Sequence, residues 1–373
     1  MTAAGWESAE RILCVRADGV GDLLMTTPAI RALRESGPGR RVTLLTSSWA
    51  AEAAWLVPEV DDVLVHDAPW VKATPPRSDS RAEHAMAALL RECRFDAAVI
   101  FTVYSQNPLP AAFLCYLADI PLRLAHCREN PYQLLTHWVA ETEPGQGVRH
   151  EVQRQLDLVA RVGCATRDVR LSLRVSPAAR ARVREMLGAA GVRLDEPWVV
   201  LHPGATAASR RYPPEGFAEA ARRLADEDGL QIVLSGTQEE AELVARIQAA
   251  AGVPSRSLAG RLAFPELCAL IAEAHLLIVN NTGPSHVAAA VGTPVVTLYA
   301  LTNPQHTPWA VPSRVLFHDV PCRFCYKSVC PQGHHDCLRL VHPDAVVEAA
   351  RALLGAARQA RAAGVEALMG KAA

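Results

Sequence analysis

Short runs of β-branched and aliphatic residues alternate with Ala/Leu/Arg-rich stretches of helical period along the whole chain. Runs at 11–16, 41–46, 62–65, 97–101, 198–202, 231–235, 275–280 and 294–299 read as strands. Amphipathic helices are expected at 23–35, 81–91, 215–226 and 239–250. Apolar strands separated by helices mean parallel sheets covered on both faces, an α/β architecture. At 373 residues the chain exceeds one ordinary domain of ~150, so two domains are expected. A helical run over 150–161 ends at Gly163, and Ser176-Pro177 then reads as an N-cap followed by a first-turn proline. These signals divide the chain into 1–175, 176–342 and a last helix with its Ala-rich tail, 343–373, which is expected to fray beyond Gly364.

Charge excludes several classes. Lys plus Arg number 38 against 39 Asp plus Glu, which argues against nucleic acid or a polybasic membrane surface as partner. No apolar run approaches the ~18 residues of a membrane span, so membrane contact would be peripheral at most. The first sixteen residues lack a signal-peptide pattern, and the expected compartment is the cytoplasm. Six of the ten cysteines lie scattered in apolar segments, where isolated thiols act as small buried hydrophobes.

Chemistry concentrates at four places. The first is Arg16-Ala17-Asp18-Gly19-Val20-Gly21-Asp22, between the first strand and the first long helix. A dinucleotide reading of its Gly-x-Gly fails. Position 24 is Leu, no acid ends strand two, and the Asp22 carboxylate would repel a pyrophosphate at the helix N-terminus. Asp22 instead either takes a proton from a hydroxyl, with the two glycines permitting a tight turn, or caps the helix. The second place is His202-Pro203-Gly204-Ala205-Thr206 with Arg210 and Arg211. Paired guanidinium forks suit a diphosphate, or else are two solvated loop arginines.

The third is Asn280-Asn281-Thr282-Gly283-Pro284-Ser285-His286. Thr282 as N-cap, with the Gly283 and Ser285 N–H groups facing outward, makes an anion cradle that His286 could reach. The alternative is a well-capped helix with a core histidine. The fourth is Cys322, Cys325, Cys330 and Cys337, interspersed with His334 and His335. Four thiols so close could hold a structural zinc, pack a loop in reduced form, or form disulfides, which a cytoplasmic site disfavours. By contrast Asp226-Glu227-Asp228, although it spells D-x-D, sits at a helix end before Gly229 and reads as a solvated turn.

Taken together these segments resemble glycosyltransferase family 9, the heptosyltransferase family, over nearly the whole chain. The opening from Ile12 through Asp22 and Thr27-Pro28-Ala29-Ile30-Arg31-Ala32-Leu33 is similar to its N-terminal signature. His202-Pro203-Gly204, Arg210-Arg211-Tyr212-Pro213, and Asn281 through His286 with Gly292-Thr293-Pro294 resemble its C-terminal ones. Thr302 through Trp309 and the cysteine cluster resemble one branch of the family.

The resemblance implies a GT-B fold: two Rossmann-like domains with parallel sheets facing across a cleft, acceptor in the first and nucleotide-sugar in the second. It implies inverting transfer of a sugar, a heptose from ADP-heptose, to a saccharide or glycolipid such as lipopolysaccharide core. No cofactor would be required for catalysis. Asp22 matches the catalytic base. Thr206, Thr282, Gly283 and His286 match donor contacts, and Glu240, after Ser235-Gly236, matches a ribose contact more weakly. Arg210 stands where many relatives carry a diphosphate-binding lysine, and Asn281 replaces a common Asp. The last helix would pack back on the N-terminal domain. Arg123, His126, Arg128 and Tyr132 form a candidate polar patch for the acceptor. The competing readings are an epimerase or hydrolase on the same plan, a transferase of secondary metabolism, or a non-catalytic nucleotide-sugar binder.

Overall fold

The fold is described from a computed structural model covering residues 5–72 and 74–369. The chain divides into two units, Met1–Arg174 and Val175–Ala373. In the first, β1 (Arg11–Arg16), β2 (Arg41–Thr46), β3 (Asp62–Val65), β4 (Ala97–Ile100), β5 (Leu122–Cys127) and β6 (His137–Ala140) form one sheet. Its order is β3-β2-β1-β4-β5-β6, and every pair is parallel. The helices are α1 (Val20–Glu35), α2 (Ala51–Ala54), α3 (Arg81–Cys93), α4 (Leu109–Leu117) and α5 (Glu151–Ala160). α1 packs on α5, and α3 and α4 cover a core built on Leu13, Val15, Ala98 and Ile100.

The second unit holds α6 (Pro177–Ala189), β7 (Trp198–His202), α7 (Pro214–Asp226), β8 (Gln231–Leu234) and α8 (Ala241–Ala251). It continues with β9 (Ser255–Ser257), α9 (Phe264–Glu273), β10 (Leu277–Asn280), α10 (Gly283–Val291), β11 (Val295–Leu298), β12 (Ser313–Leu316), α11 (Asp336–Arg339) and α12 (Pro343–Met369). Its sheet, β12-β11-β10-β7-β8-β9, is also all parallel. Each sheet thus repeats one winding, in which the unit's first and fourth strands are neighbours. The chain reverses its direction of travel there, so the loops leaving those two strands diverge and open a crevice at the carboxyl edge.

The eight strands read from sequence are present within a residue or two at their ends. Four were not expected: β5, β6, β9 and β12. β5 carries Arg123 and His126 among its buried residues, and the outermost strands β6, β9 and β12 are only partly buried. None shows the apolar run by which the central strands announce themselves.

α1 begins at Val20, three residues before the expected start, and continues through Pro28. Proline has no N–H for the Leu24 carbonyl, and the Thr27 hydroxyl bonds that carbonyl instead at 2.7 Å. The same hydroxyl accepts the Ser172 N–H at 3.0 Å, fastening the last segment of the first unit to the helix. At the start of α6 the expected cap is present: Ser176 accepts the Ala179 N–H at 3.1 Å, with Pro177 in the first turn.

The last helix contributes to the core of the second unit. Val346, Val347, Ala350, Leu353 and Leu354 join the core of the second unit, where α12 packs on α7, β11 and β12. The helix also holds to Met369 instead of fraying at Gly364, as an Ala-rich segment can; positions 370–373 of the tail lie outside the described residues. Asp228 and Glu227 pair with Arg351 at 2.9 and 2.7 Å, so the D-x-D triplet is a surface ion-pair cluster.

Replacing Leu353 with Ala should cost the second unit about 2–5 kcal/mol. Hydrogen exchange of the β10 and β11 amides measures it; unchanged protection would mean that the helix is not part of that core.

Candidate active site

At the carboxyl edge of the first sheet, β1 ends in Arg16, whose guanidinium is fully buried. It meets three carboxylates: Nε to Asp18 Oδ2 at 3.2 Å, Nη2 to Asp22 Oδ1 at 3.2 Å, and Nη1 to Glu151 Oε1 at 3.0 Å. Gln155 braces the far side, donating to Glu151 Oε1 at 2.7 Å and to the Thr102 carbonyl at 2.9 Å. Gln106 donates to Asp18 Oδ1 at 2.6 Å. Burial opposes the guanidinium's charge, but Asp18, Glu151 and Asp22 outweigh it and hold Arg16 protonated. Burial likewise pushes the Asp18 carboxyl above its ordinary range; Asp22 and Glu151 add to this, while Arg16 opposes it.

Asp22 is the third residue of α1, not its cap; the cap position is Gly19. A carboxylate in the first turn suits the helix dipole, and the Asp22 side chain keeps 27% of its surface exposed. Gly19 has φ −79° and ψ 179°, a conformation open to any residue, so no tight turn demands glycine there. A Cβ there would meet nothing within 4 Å, so space does not demand glycine either. Of this cluster, only Asp22 was singled out from sequence as a site residue. Glu151 lies 135 residues from Arg16, and nothing local marks it except its place at a helix start.

At the second carboxyl edge, the His202–Thr206 and Asn280–His286 segments leave neighbouring strands, β7 and β10. Asn280 joins them, donating to the Pro203 carbonyl at 2.8 Å and accepting the Tyr212 N–H at 3.1 Å. Asn281 is buried and its oxygen takes the Ala300 N–H at 3.2 Å, which makes it a brace toward the loop after β11. Thr282 is the cap residue of α10 by position, although its side chain makes no cap bond. The Ser285 N–H and hydroxyl both bond the Thr282 carbonyl, at 3.0 and 2.8 Å. The expected pair of outward amides is therefore reduced to that of Gly283. His286 is buried, only 5% exposed.

Glu240 lies against both glycine-bearing loops. A Cβ at 204 would overlap its carboxylate, and one at 236 would come within 3.2 Å of it. Glu240 accepts the Thr237 N–H at 2.9 Å and stands 3.9 Å from His202 Nε2. Burial holds the His202 imidazole below its ordinary pKa, with Glu240 acting against the shift. Thr206 is exposed, and Arg210 is half-buried at the end of a 3₁₀ turn. Exposed Arg211 spends its Nε on the Ala205 carbonyl at 2.8 Å. It shapes the loop, whereas Arg210 is the better placed phosphate candidate.

Two expectations are corrected. All four clustered cysteines are free thiols, and among the described residues no group of three or more His, Cys, Asp or Glu is arranged to hold a metal ion. Cys322, Cys325, Cys330 and Cys337 instead line a cavity of about 20 Å³ with His334 and His335. His334 turns Nδ1 to the Asp336 N–H at 2.9 Å, and Cys337 packs against the core. Structural zinc has no support here. The segment is a buttress: Ser209 bonds the Ser328 and Lys327 carbonyls at 3.0 and 2.7 Å, bracing the Arg210 turn. The N-terminal polar patch is not a patch either. Arg123 and His126 are buried and bound to backbone carbonyls, Arg128 is exposed but donates to the Tyr104 and Glu143 carbonyls, and Tyr132 is well exposed.

The raised Asp18 pKa predicts a pH dependence. Its contribution to stability is complete below the ordinary carboxylate range and is lost as pH climbs through the raised folded value. Asp18→Asn removes that titration, so the variant's melting temperature relative to the parent should climb as pH rises above the ordinary carboxylate range of about 4. Each kcal/mol would appear as about 2–4 °C; a flat difference would show that Asp18 carries no buried charge.

Comparison with known proteins identifies the family. Residues 84–335 match the family model of glycosyltransferase family 9 (heptosyltransferase). The chain is similar to lipopolysaccharide heptosyltransferase 2 of Escherichia coli, 26% identical over 361 residues, covering 92% of this chain and 98% of that protein. In structure it is similar to a family 9 glycosyltransferase of Veillonella parvula, with a TM-score of 0.77 at 20% identity, covering 92% and 97% of the two chains. It is also similar to E. coli ADP-heptose heptosyltransferase II, with a TM-score of 0.73 at 24% identity, covering 93% and 99%. Among the described residues no helix is long and apolar enough to cross a membrane. The chain belongs to glycosyltransferase family 9, the heptosyltransferase family, and is a glycosyltransferase with two Rossmann-like parallel sheets of the GT-B type.

Proposed function

We propose that this enzyme transfers a heptose, with inversion, from ADP-heptose to a saccharide or glycolipid acceptor of the lipopolysaccharide core. The first unit holds the acceptor and the second the nucleotide-sugar. Family membership and the relatives named as lipopolysaccharide heptosyltransferases support the donor and acceptor classes. The observation that carries the mechanism is Asp22, with one carboxylate oxygen pinned by buried Arg16 and the side chain reaching solvent at the carboxyl edge of β1.

An acceptor hydroxyl attacks the anomeric carbon of the donor. A new C–O bond forms as the bond to the β-phosphate oxygen breaks, Asp22 takes the hydroxyl proton, and the nucleoside diphosphate leaves with the bonding pair. Arg210, Thr282 and the Gly283 amide at the mouth of α10 meet the charge on the leaving diphosphate. Well-placed donors of this kind are worth about 3–4 kcal/mol each. Glu240 receives the ribose hydroxyls beside Gly236, and Thr206 contacts the same nucleotide.

Replacing Asp22 with Asn should lower turnover by roughly 10²–10⁴-fold. ADP affinity, read as a ligand-induced rise in melting temperature, should stay unchanged. Near-normal turnover would leave Asp22 as a helix-dipole partner. At the diphosphate, Arg210→Lys keeps the charge and should lose less kcat than Arg210→Ala. Equal losses in steady-state assays would remove Arg210 from leaving-group stabilisation. The donor itself is tested by a thermal-shift panel of nucleoside diphosphates and their sugars; a larger shift with UDP or GDP compounds than with ADP compounds would overturn the ADP-heptose assignment.

A further inference from the structure

The carboxyl edge of the first sheet carries a cavity of about 310 Å³ above the ends of β1 and β4. That is the lower end of the ~300–1,000 Å³ usual for small-molecule sites, and it suits one sugar ring and not an extended chain. Its lining combines the aromatic Trp70 and Phe101 with the polar Asp18, Ser105, Gln106 and Asn107. Among the described residues, no lysine or arginine lines it.

The surrounding charge is acidic. Arg16 beneath the cavity answers three carboxylates, Asp18, Asp22 and Glu151. Asn107 donates to a further acid, Glu129, at 2.7 Å. Arg154 and Arg128 reach the loop after β4, and both are committed: Arg154 bonds the Thr102 carbonyl and pairs with Glu141, and Arg128 donates to the Tyr104 and Glu143 carbonyls. Lys72, which follows the lining residue Val71, is exposed and does not itself line the cavity. An anion entering here would face the Asp18 carboxyl and the acids behind it without a donor fork to receive it. A neutral sugar can give hydroxyl hydrogens to Asp18 and lay its C–H face on Trp70.

Resting on the transferase reading above, we infer that this cavity is the acceptor subsite and selects an uncharged glycosyl unit. The ring that receives the transferred sugar is neutral, and any phosphate or carboxylate of the acceptor stays outside the cavity. Asp18 and Asp22 grip the same guanidinium, so a ring held by Asp18 has its hydroxyls beside the base.

The test is binding to the full chain, without transfer, by saturation-transfer NMR and calorimetry. The probes are a neutral methyl glycoside (methyl α-mannopyranoside), its 6-phosphate, and the methyl glycoside of a sugar acid. The neutral probe should bind about tenfold or more tightly than either anion at low salt, with the gap narrowing as salt rises. Trp70→Ala should weaken the neutral probe severalfold, and Gln106→Lys should shift preference toward the anions. Anions binding as well as the neutral probe, no binding of the neutral probe, or indifference to both substitutions would each overturn the inference. The thermal shift by ADP separates the two readings. If it persists while the neutral preference is absent, this subsite alone is wrong; if it is missing, the transferase assignment has failed first.

Discussion

The first unit is organised around one buried guanidinium. Arg16 ends the central strand, Asp22 stands in the first turn of α1, Glu151 opens α5, and Asp18 lies in the loop between strand and helix. Burying so much charge is expensive, and a hydrophobic replacement of an ion cluster is often as stable. What the arrangement supplies is position: with each of its nitrogens facing a different carboxylate, the guanidinium leaves Asp22 little freedom to rotate away from the edge of the sheet. Gln155 extends the lock to the Thr102 carbonyl in the loop after β4. The two loops that bound the crevice are thereby tied to one group.

The second unit solves the same geometric problem with neutral groups. Its motifs leave β7 and β10, and Asn280 bridges them with one donated and one accepted bond while fully buried. Asn281 ties the same point to the chain after β11. A neutral amide is the cheaper choice beside the diphosphate position proposed above, because a fixed carboxylate there would repel an anion. The nearby acid, Glu240, lies instead against Gly204 and Gly236, on the side toward β8. The cysteine-rich segment adds support from outside, holding the turn that presents Arg210 through the Ser209 bonds.

Much of this was legible in the residues themselves. Central strands show as apolar runs because both their faces are covered, and α6 shows its cap because Ser176 and Pro177 act within one turn. Asp22 and the Thr282–Gly283 mouth stood out because glycines, caps and acids at a strand-to-helix junction have few other uses. Less visible was the work of polar residues that turn inward. Arg123, His126 and Asn281 have side chains that suit a surface or a ligand, yet they spend them on backbone groups. Composition cannot show which way such a side chain faces. The cysteines mislead for a related reason, since close spacing along the chain does not guarantee convergence in space.

The sequence by itself determined the α/β alternation, the family and the residues at each strand-to-helix junction, because these rest on interactions spanning one turn or one strand. Only the tertiary structure decided that Glu151 would share Arg16 with Asp22, that α12 would serve the second core, and that Asp18 would line a cavity at the carboxyl edge of the first sheet. Those outcomes depend on charges and apolar faces brought together across many tens of residues by the winding of two sheets, and no local pattern encodes the sum of a field or the filling of a core.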